Sequence, residues 1–231
     1  MLGNPQPSEF DLRFIVFGIP VRVSPMFWLG SVILGWNTMS QGPPFLLMWV
    51  VVSFVSILVH ELGHALVARW LGCHQVETAL HMMGGVATFQ PGRNFTQGKS
   101  ILISLAGPGA GFILFLLMEF VIADPLLRLT NRTLDRSVVP LIAAGINMWL
   151  FVNLVWGLVN LLPVLPLDGG QVCRGVCLSI SPYRGEDYAR KISIGVAGLV
   201  AVYFLVAGQI YPGILFLSLA FSNAQAGRYR G

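Results

Sequence analysis

Residues 57–72 read ILVHELGHALVARWLG, and this stretch is the most informative part of the sequence about the class of protein. It places His60, Glu61 and His64 among aliphatic residues, in a run long enough to lie inside a bilayer. Ionisable groups in a membrane segment are costly to bury and usually serve a function. These three side chains are therefore the first candidates for a functional site.

The composition excludes an ordinary soluble domain. The chain has 231 residues, of which 55% are hydrophobic and only 10% are charged, whereas soluble domains are about 25% charged. The mean hydropathy is +0.73. We expect an all-α polytopic membrane protein that uses residues 1–231 as a single transmembrane domain, with no appended soluble domain and no nucleic-acid partner.

About six transmembrane helices are expected, because the apolar runs are each near the ~20 residues that span a bilayer. They cover residues 26–40, 44–70, 99–123, 137–165, 191–209 and 211–225. Most basic residues fall in the segments that this arrangement places on one side, so both termini are expected in the cytoplasm and the protein in the cell membrane. Arg128, Arg132 and Arg136, in the connection between the third and fourth runs, oppose this orientation.

A second structural element is expected at the membrane surface. The segment VETALHMMGGVATF, residues 76–89, mixes alternating polar and apolar residues with Gly84 and Gly85. This pattern predicts a short β-hairpin or edge strand, which could accept an unwound substrate by strand addition. A plain surface loop is the alternative interpretation.

The pattern His60-Glu61-Leu62-Gly63-His64 is an HExxH motif within a helical run. Four residues advance a helix by about 400°, so the two imidazoles lie about 40° apart on one face, one turn along. This spacing supplies two zinc ligands and leaves the glutamate to act on water. Polar residues lining a helix contact are the alternative.

A catalytic zinc needs a third protein ligand and an open position. A metzincin continuation would need glycine and histidine where Val67 and Trp70 stand, so that class is excluded. Glu77, in the expected hairpin, and Glu119, near the far end of the third run, are both poorly placed.

The remaining intramembrane acid is Asp168, in the segment NLLPVLPLDGG at residues 160–170. Pro163 and Pro166 prevent regular helix there, and broken backbone at membrane depth is tolerated where it lines a cavity or is buried in protein. Asp168 is therefore the best candidate for a third ligand. A helix-capping aspartate is the alternative.

These motifs together resemble the site-2 protease family of intramembrane zinc metalloproteases, in its small prokaryotic members. The resemblance rests on HELGH at 60–64, NLLP at 160–163, PLDGG at 166–170 and the N-terminal GIPVRVSP at 18–25. Two positions depart from the family pattern, since Gly111 stands where an asparagine is frequent and Ser24 where a histidine is frequent.

The resemblance implies a three-helix catalytic core in which His60, His64 and Asp168 bind one zinc ion per chain. It further implies that Glu61 is the catalytic acid and base and that Asn160 stabilises the oxyanion. A cap at a broken helix is the alternative role of Asn160. The expected function is that of a zinc metalloendopeptidase that cuts single-span membrane proteins within the lipid bilayer. The alternatives are a metal-ion transporter and an inactive membrane scaffold.

Overall fold

A computed structural model describes residues 8–82, 84–133 and 138–228. The described chain is mostly helical and carries one four-stranded sheet. It divides into two compact units. One holds the sheet, the helix that contains HExxH, and the chain from Ala106 to Gly157; the other holds residues 93–105 and the chain from Leu158 onward. The single-domain expectation stays a prediction.

The sheet is larger than the hairpin expected from the sequence. Its strands, in spatial order, are β1 Leu12–Val16, β2 Ile19–Val23, β3 His74–His81 and β4 Gly84–Gln90. The β1–β2 and β3–β4 pairs are antiparallel and the β2–β3 pair is parallel. The hairpin at β3 and β4 was expected, whereas the two N-terminal strands were not.

The N-terminal segment forms a hairpin because its residues alternate and its turn is permissive. Ile19, Val21 and Val23 are buried on one face of β2. Phe17 and Gly18 both have positive φ, of 50° and 74°, as two-residue hairpin turns require. The parallel join to β3 then adds this hairpin to the sheet.

The helices run in chain order from α1 to α9. Their bounds are α1 Pro25–Gly35, α2 Pro43–Trp70, α3 Gln97–Leu117, α4 Ala123–Thr133, α5 Val139–Phe151, α6 Gly157–Asn160, α7 Asp168–Ile180, α8 Gly185–Val206 and α9 Ile210–Arg228. A 3-10 turn, Trp36–Gln41, follows α1. Two π-helical turns, Met118–Ile122 and Val152–Trp156, join α3 to α4 and α5 to α6.

Four of the described helical segments are long and apolar enough to cross a membrane: Pro43–Trp70, Gln97–Thr130, Val139–Asn160 and Gly185–Val206. They correspond to the second to fifth of the six expected spans. Helix α1 has 11 residues, about 16 Å at 1.5 Å per residue, which is shorter than a bilayer core. A mostly helical chain with four candidate membrane-spanning helices and a small sheet is therefore confirmed, but the count of six is not.

The sheet packs on the half of α2 that carries HExxH. Val21, Val23 and Leu80 form a buried cluster with Leu62, which lies within the motif on α2, and with Ala65, which follows it. Fully burying a valine or leucine side chain contributes about 1.5–3 kcal/mol. This packing fixes the rotation of α2 about its axis, and therefore the direction in which its histidines point.

Candidate metal centre

The two histidines of the motif lie as the helical spacing predicts. Helix α2 is continuous from Pro43 to Trp70, and the Nε2 atoms of His60 and His64 are 3.2 Å apart. Two ligands that are 2.0–2.1 Å from a tetrahedral ion would be separated by about 3.3 Å. The imidazole pair is thus spaced to share one ion.

Small residues allow α3 to approach this pair closely. A Cβ atom at Gly107 would overlap Nε2 of His64, and one at Gly63 would lie 2.6 Å from the carbonyl oxygen of Ala106. Pro108 lies inside α3 and is fully buried. Gly107, the first residue of the run Gly107-Pro108-Gly109-Ala110-Gly111, therefore has a role beyond close helix packing. It leaves room for the imidazole ring of His64.

Glu61 is buried, with 6% of its surface exposed. Strand β4 passes directly over it, since a Cβ atom at Gly85 would lie 2.6 Å from Oε1 of Glu61. A side chain at position 85 would displace the carboxylate. The second glycine of the predicted hairpin therefore makes room for Glu61.

Asp168 is the first residue of α7, and Leu167 is the residue that precedes the helix as its N-cap. The two glycines after Asp168 face backbone rather than open space. A Cβ atom at Gly169 would overlap the carbonyl of Leu161, and one at Gly170 would lie 2.5 Å from the backbone nitrogen of Leu165. The start of α7 thus packs closely on the irregular segment before it. A residue with a side chain at position 169 or 170 would prevent this contact.

One potential ligand atom from each of His60, His64 and Asp168 lies within 4.8 Å of the others. Two imidazoles and one carboxylate are a donor set typical of a catalytic zinc site, which keeps a fourth position open. Glu77 lies in β3 and Glu119 in the π-helical turn after α3. Neither belongs to this group of described residues.

The structure also locates the remaining candidates. Asn160 is the last residue of α6, at the point where regular helix ends. Ser24 is the N-cap of α1, and its side chain accepts a hydrogen bond from the Met26 amide. The serine that departs from the family pattern therefore has a local structural role.

Sequence reasoning missed Asn153, which is 3% exposed in the π-helical turn after α5. Its Nδ2 donates to Oγ of Ser56, 2.9 Å away, one turn before His60 on α2. A Cβ atom at Gly111 would lie 3.7 Å from Oδ1 of Asn153. A polar contact thus exists beside the glycine that departs from the family pattern, and it is supplied by another helix.

A second pair of possible ligands lies on α7. Cys173 and Cys177 are one turn apart and half-buried. Burial raises the pKa of the Cys173 thiol, and the neighbouring Cys177 raises it further. A raised pKa disfavours the thiolate that binds metal, so the simpler interpretation of the pair is two small apolar residues on a short helix.

The described helices, the sheet and the group of His60, His64 and Asp168, which could hold a metal ion, fit a membrane metalloprotein of the HExxH type. Comparison with known proteins agrees. The sequence model of Peptidase family M50 matches residues 127–206. The site-2 protease from Methanocaldococcus jannaschii has a similar fold, with a TM-score of 0.62 and 24% identity over 94% of each chain.

Two relatives extend the similarity along the chain. A provisionally named zinc metalloprotease of Synechocystis sp. is 31% identical over 78% of this chain and 47% of its own length. A zinc metalloprotease of M. jannaschii is 27% identical over 90% of this chain and 57% of its own length. The chain spans about half the length of these curated relatives. The resemblance to the site-2 protease family, Peptidase family M50, is confirmed.

Proposed function

We propose that this protein is an intramembrane zinc endopeptidase that hydrolyses peptide bonds in or near the transmembrane segments of other proteins. The observation that carries the proposal is the grouping of His60, His64 and Asp168, with the buried carboxylate of Glu61 next to His60 in the motif. The relatives that are named zinc metalloproteases support the same chemistry.

His60, His64 and Asp168 would hold one zinc ion per chain. The 3.2 Å separation of the imidazole nitrogens fits this ion. A bound zinc would supply Lewis acidity, which lowers the pKa of water toward ~7 and polarises a peptide carbonyl. Proton transfer and stabilisation of the oxyanion would then depend on side chains of this protein.

Glu61 would take the proton from the attacking water and return it to the leaving amine. Its burial and the cover that Gly85 provides keep the carboxylate in one place. Asn160 would donate a hydrogen bond to the developing oxyanion, and loss of one such donor typically costs ~10²–10³ in rate. Asn160→Ala is therefore expected to lose that factor in kcat while it keeps zinc.

The substrate would be a single-span membrane protein whose helix unwinds locally, because a helical peptide bond is hidden behind internal hydrogen bonds. Among the described residues, β4 pairs with β3 alone, so its other edge can accept an added strand. Proline at Val86 or Thr88 would remove a main-chain donor from β4. Either substitution should stop cleavage and leave zinc content unchanged; normal cleavage would discard strand addition.

We place the protein in the cell membrane with both termini in the cytoplasm. The support is the distribution of basic residues, which favours the N-terminal arm, the segment after α2 and the α7–α8 region. A reporter fused to either terminus, active only in the cytoplasm, checks this orientation.

The test of the function is a reconstituted cleavage assay that compares wild type with Glu61→Gln, with zinc measured in both. The variant should keep its zinc and lose about 10²–10⁴ in rate, the usual contribution of a general base. Equal cleavage by both proteins would exclude Glu61 as the base. If the wild-type protein binds zinc and transports metal into vesicles but cleaves no membrane substrate, the transporter is favoured. If the wild-type protein neither binds zinc nor cleaves, it is a scaffold.

A further inference from the structure

The backbone that leads to Asp168 is fixed by two buried polar side chains from other helices. Oγ of Ser193, on α8, accepts a hydrogen bond from the Leu165 amide at 3.0 Å. Nδ2 of Asn223, on α9, donates to the Leu165 carbonyl at 2.7 Å. Ser193 is 0% exposed and Asn223 is 8% exposed. Both polar groups of Leu165 are therefore satisfied from outside its own segment.

Leu165 needs these partners because it cannot be part of a helix. Pro163 and Pro166 on either side interrupt the helical ladder, and Val164 next to it is completely buried. Unsatisfied backbone groups in apolar surroundings cost several kcal/mol each. Ser193 on α8 and Asn223 on α9 thus lie where the irregular backbone at Leu165 needs hydrogen-bond partners.

The contact continues from Leu165 to the ligand. A Cβ atom at Gly170 would lie 2.5 Å from the backbone nitrogen of Leu165, so the segment and the first turn of α7 touch directly. Asp168 lies in that turn. A displacement of Leu165 is therefore transmitted to the residue proposed as third zinc ligand.

We infer that Ser193 and Asn223 are positioning residues for Asp168, which hold the third metal ligand in place through the backbone of Leu165. The inference rests on the proposed zinc site. Each residue also anchors to its own helix, since Ser193 donates to the Ala189 carbonyl and Asn223 to the Leu219 carbonyl. These second bonds fix the side chains in the orientation that reaches Leu165.

The test measures cobalt binding to the full chain in detergent, by the visible spectrum of the bound ion and by competition with a chelator. Asn223→Leu keeps the volume and removes the donor; Ser193→Ala removes only a hydroxyl. Both should weaken cobalt affinity about 10- to 100-fold, as loss of a residue that orients a ligand typically does. The spectrum should shift because the carboxylate moves.

Two controls on α9 separate positioning from general stability. Ser218→Ala removes an exposed hydroxyl that donates to the Leu215 carbonyl, and should leave both the affinity and the spectrum unchanged. Ala224→Gly, at an exposed position of α9, destabilises that helix by about 1 kcal/mol without removing a side-chain hydrogen bond, and should lower the Tm and keep the spectrum.

The outcomes distinguish this inference from the proposed function. Wild type that binds no cobalt would overturn both. Wild-type affinity and spectrum in both Asn223→Leu and Ser193→Ala would overturn only the positioning roles. Equal loss of affinity in Ala224→Gly would also overturn them, because destabilisation alone would then explain the effect.

Discussion

Helix α2 and the segment that leads into α7 each supply ligands to the proposed zinc site, but they fix them by different means. On α2 the two imidazoles follow from helical spacing, and one buried apolar cluster sets the rotation of the helix. Asp168 follows an irregular backbone that depends on two glycines and on hydrogen bonds from Ser193 and Asn223. A regular helix places ligands by its own geometry, whereas a broken segment needs partners from elsewhere.

The largest expected effect is on the irregular segment. In Gly169→Ala the added methyl would overlap the backbone of Leu161, which cannot move without the segment. We expect a destabilisation of about 3 kcal/mol or more, with loss of zinc and of cleavage. Gly195→Ala on α8 adds its methyl where no atom lies within 4 Å, and should keep zinc and cleavage at the wild-type level, with a Tm that is unchanged or slightly higher because alanine favours helix over glycine. Thermal unfolding and zinc analysis of both variants give the answer, and an unaffected Gly169→Ala would show that the segment is not tightly packed.

On the α2 side, Gly107→Ala should act on the metal rather than on the fold. Its methyl would overlap Nε2 of His64, so the ring must turn away. We expect zinc affinity to fall about 10- to 100-fold, with little change in Tm. Gly109→Ala, on the same helix in open space, is the matched control. If both variants bind zinc equally well, the close approach of α3 does not set the position of His64.

A smaller effect is expected at Gly85, because it touches a residue that is not a metal ligand. The methyl of Gly85→Ala would push against the Glu61 carboxylate. Cleavage should fall about 10- to 100-fold, part of the 10²–10⁴ that a general base contributes, while zinc content stays at the wild-type level. Gly98→Ala, whose nearest neighbour would be 3.9 Å away, controls for the substitution. A parallel loss of zinc in Gly85→Ala would contradict the separate roles of Glu61 and the ligands.

The smallest effect concerns the hydrogen bond between Asn153 and Ser56. A double-mutant cycle with Asn153→Leu and Ser56→Ala should give a coupling free energy of about 0.6 kcal/mol and no more than about 1.7 kcal/mol, the average and the maximum measured for side-chain hydrogen bonds in a membrane protein. Unfolding in detergent measures it. A coupling free energy of zero would mean that the hydrogen bond to Ser56 does not stabilise α2. Helix α2 would then differ even more from the segment at Leu165, which depends on hydrogen bonds to other helices.

The sequence predicted the parts of the structure that depend on local pattern. The helical period placed His60 and His64 on one face, and the prolines around Leu165 indicated broken backbone. It did not predict β1 and β2, because their pairing with β3 joins residues far apart in the chain. Residues 124–133 were expected to belong to a connection and lie in α4 instead.

The missed polar residues share a physical reason. Asn153, Ser193 and Asn223 each act through a hydrogen bond to a residue many positions away, and no local pattern encodes such a partner. A signal was nevertheless present, since each is a polar residue inside an apolar run, where buried polar groups require partners. Gly85 and Gly107 looked like ordinary small residues, because their role depends on which side chain faces them.

X-ray absorption at the zinc edge of the purified protein would identify the ligand set itself. The structure predicts one zinc per chain surrounded by nitrogen and oxygen neighbours at about 2.0–2.2 Å, two of them imidazole, with no sulfur. Asp168→Ala should remove one oxygen neighbour. A sulfur shell at about 2.3 Å, which Cys173 and Cys177 would provide, or a spectrum unchanged by Asp168→Ala, would contradict a site built from His60, His64 and Asp168.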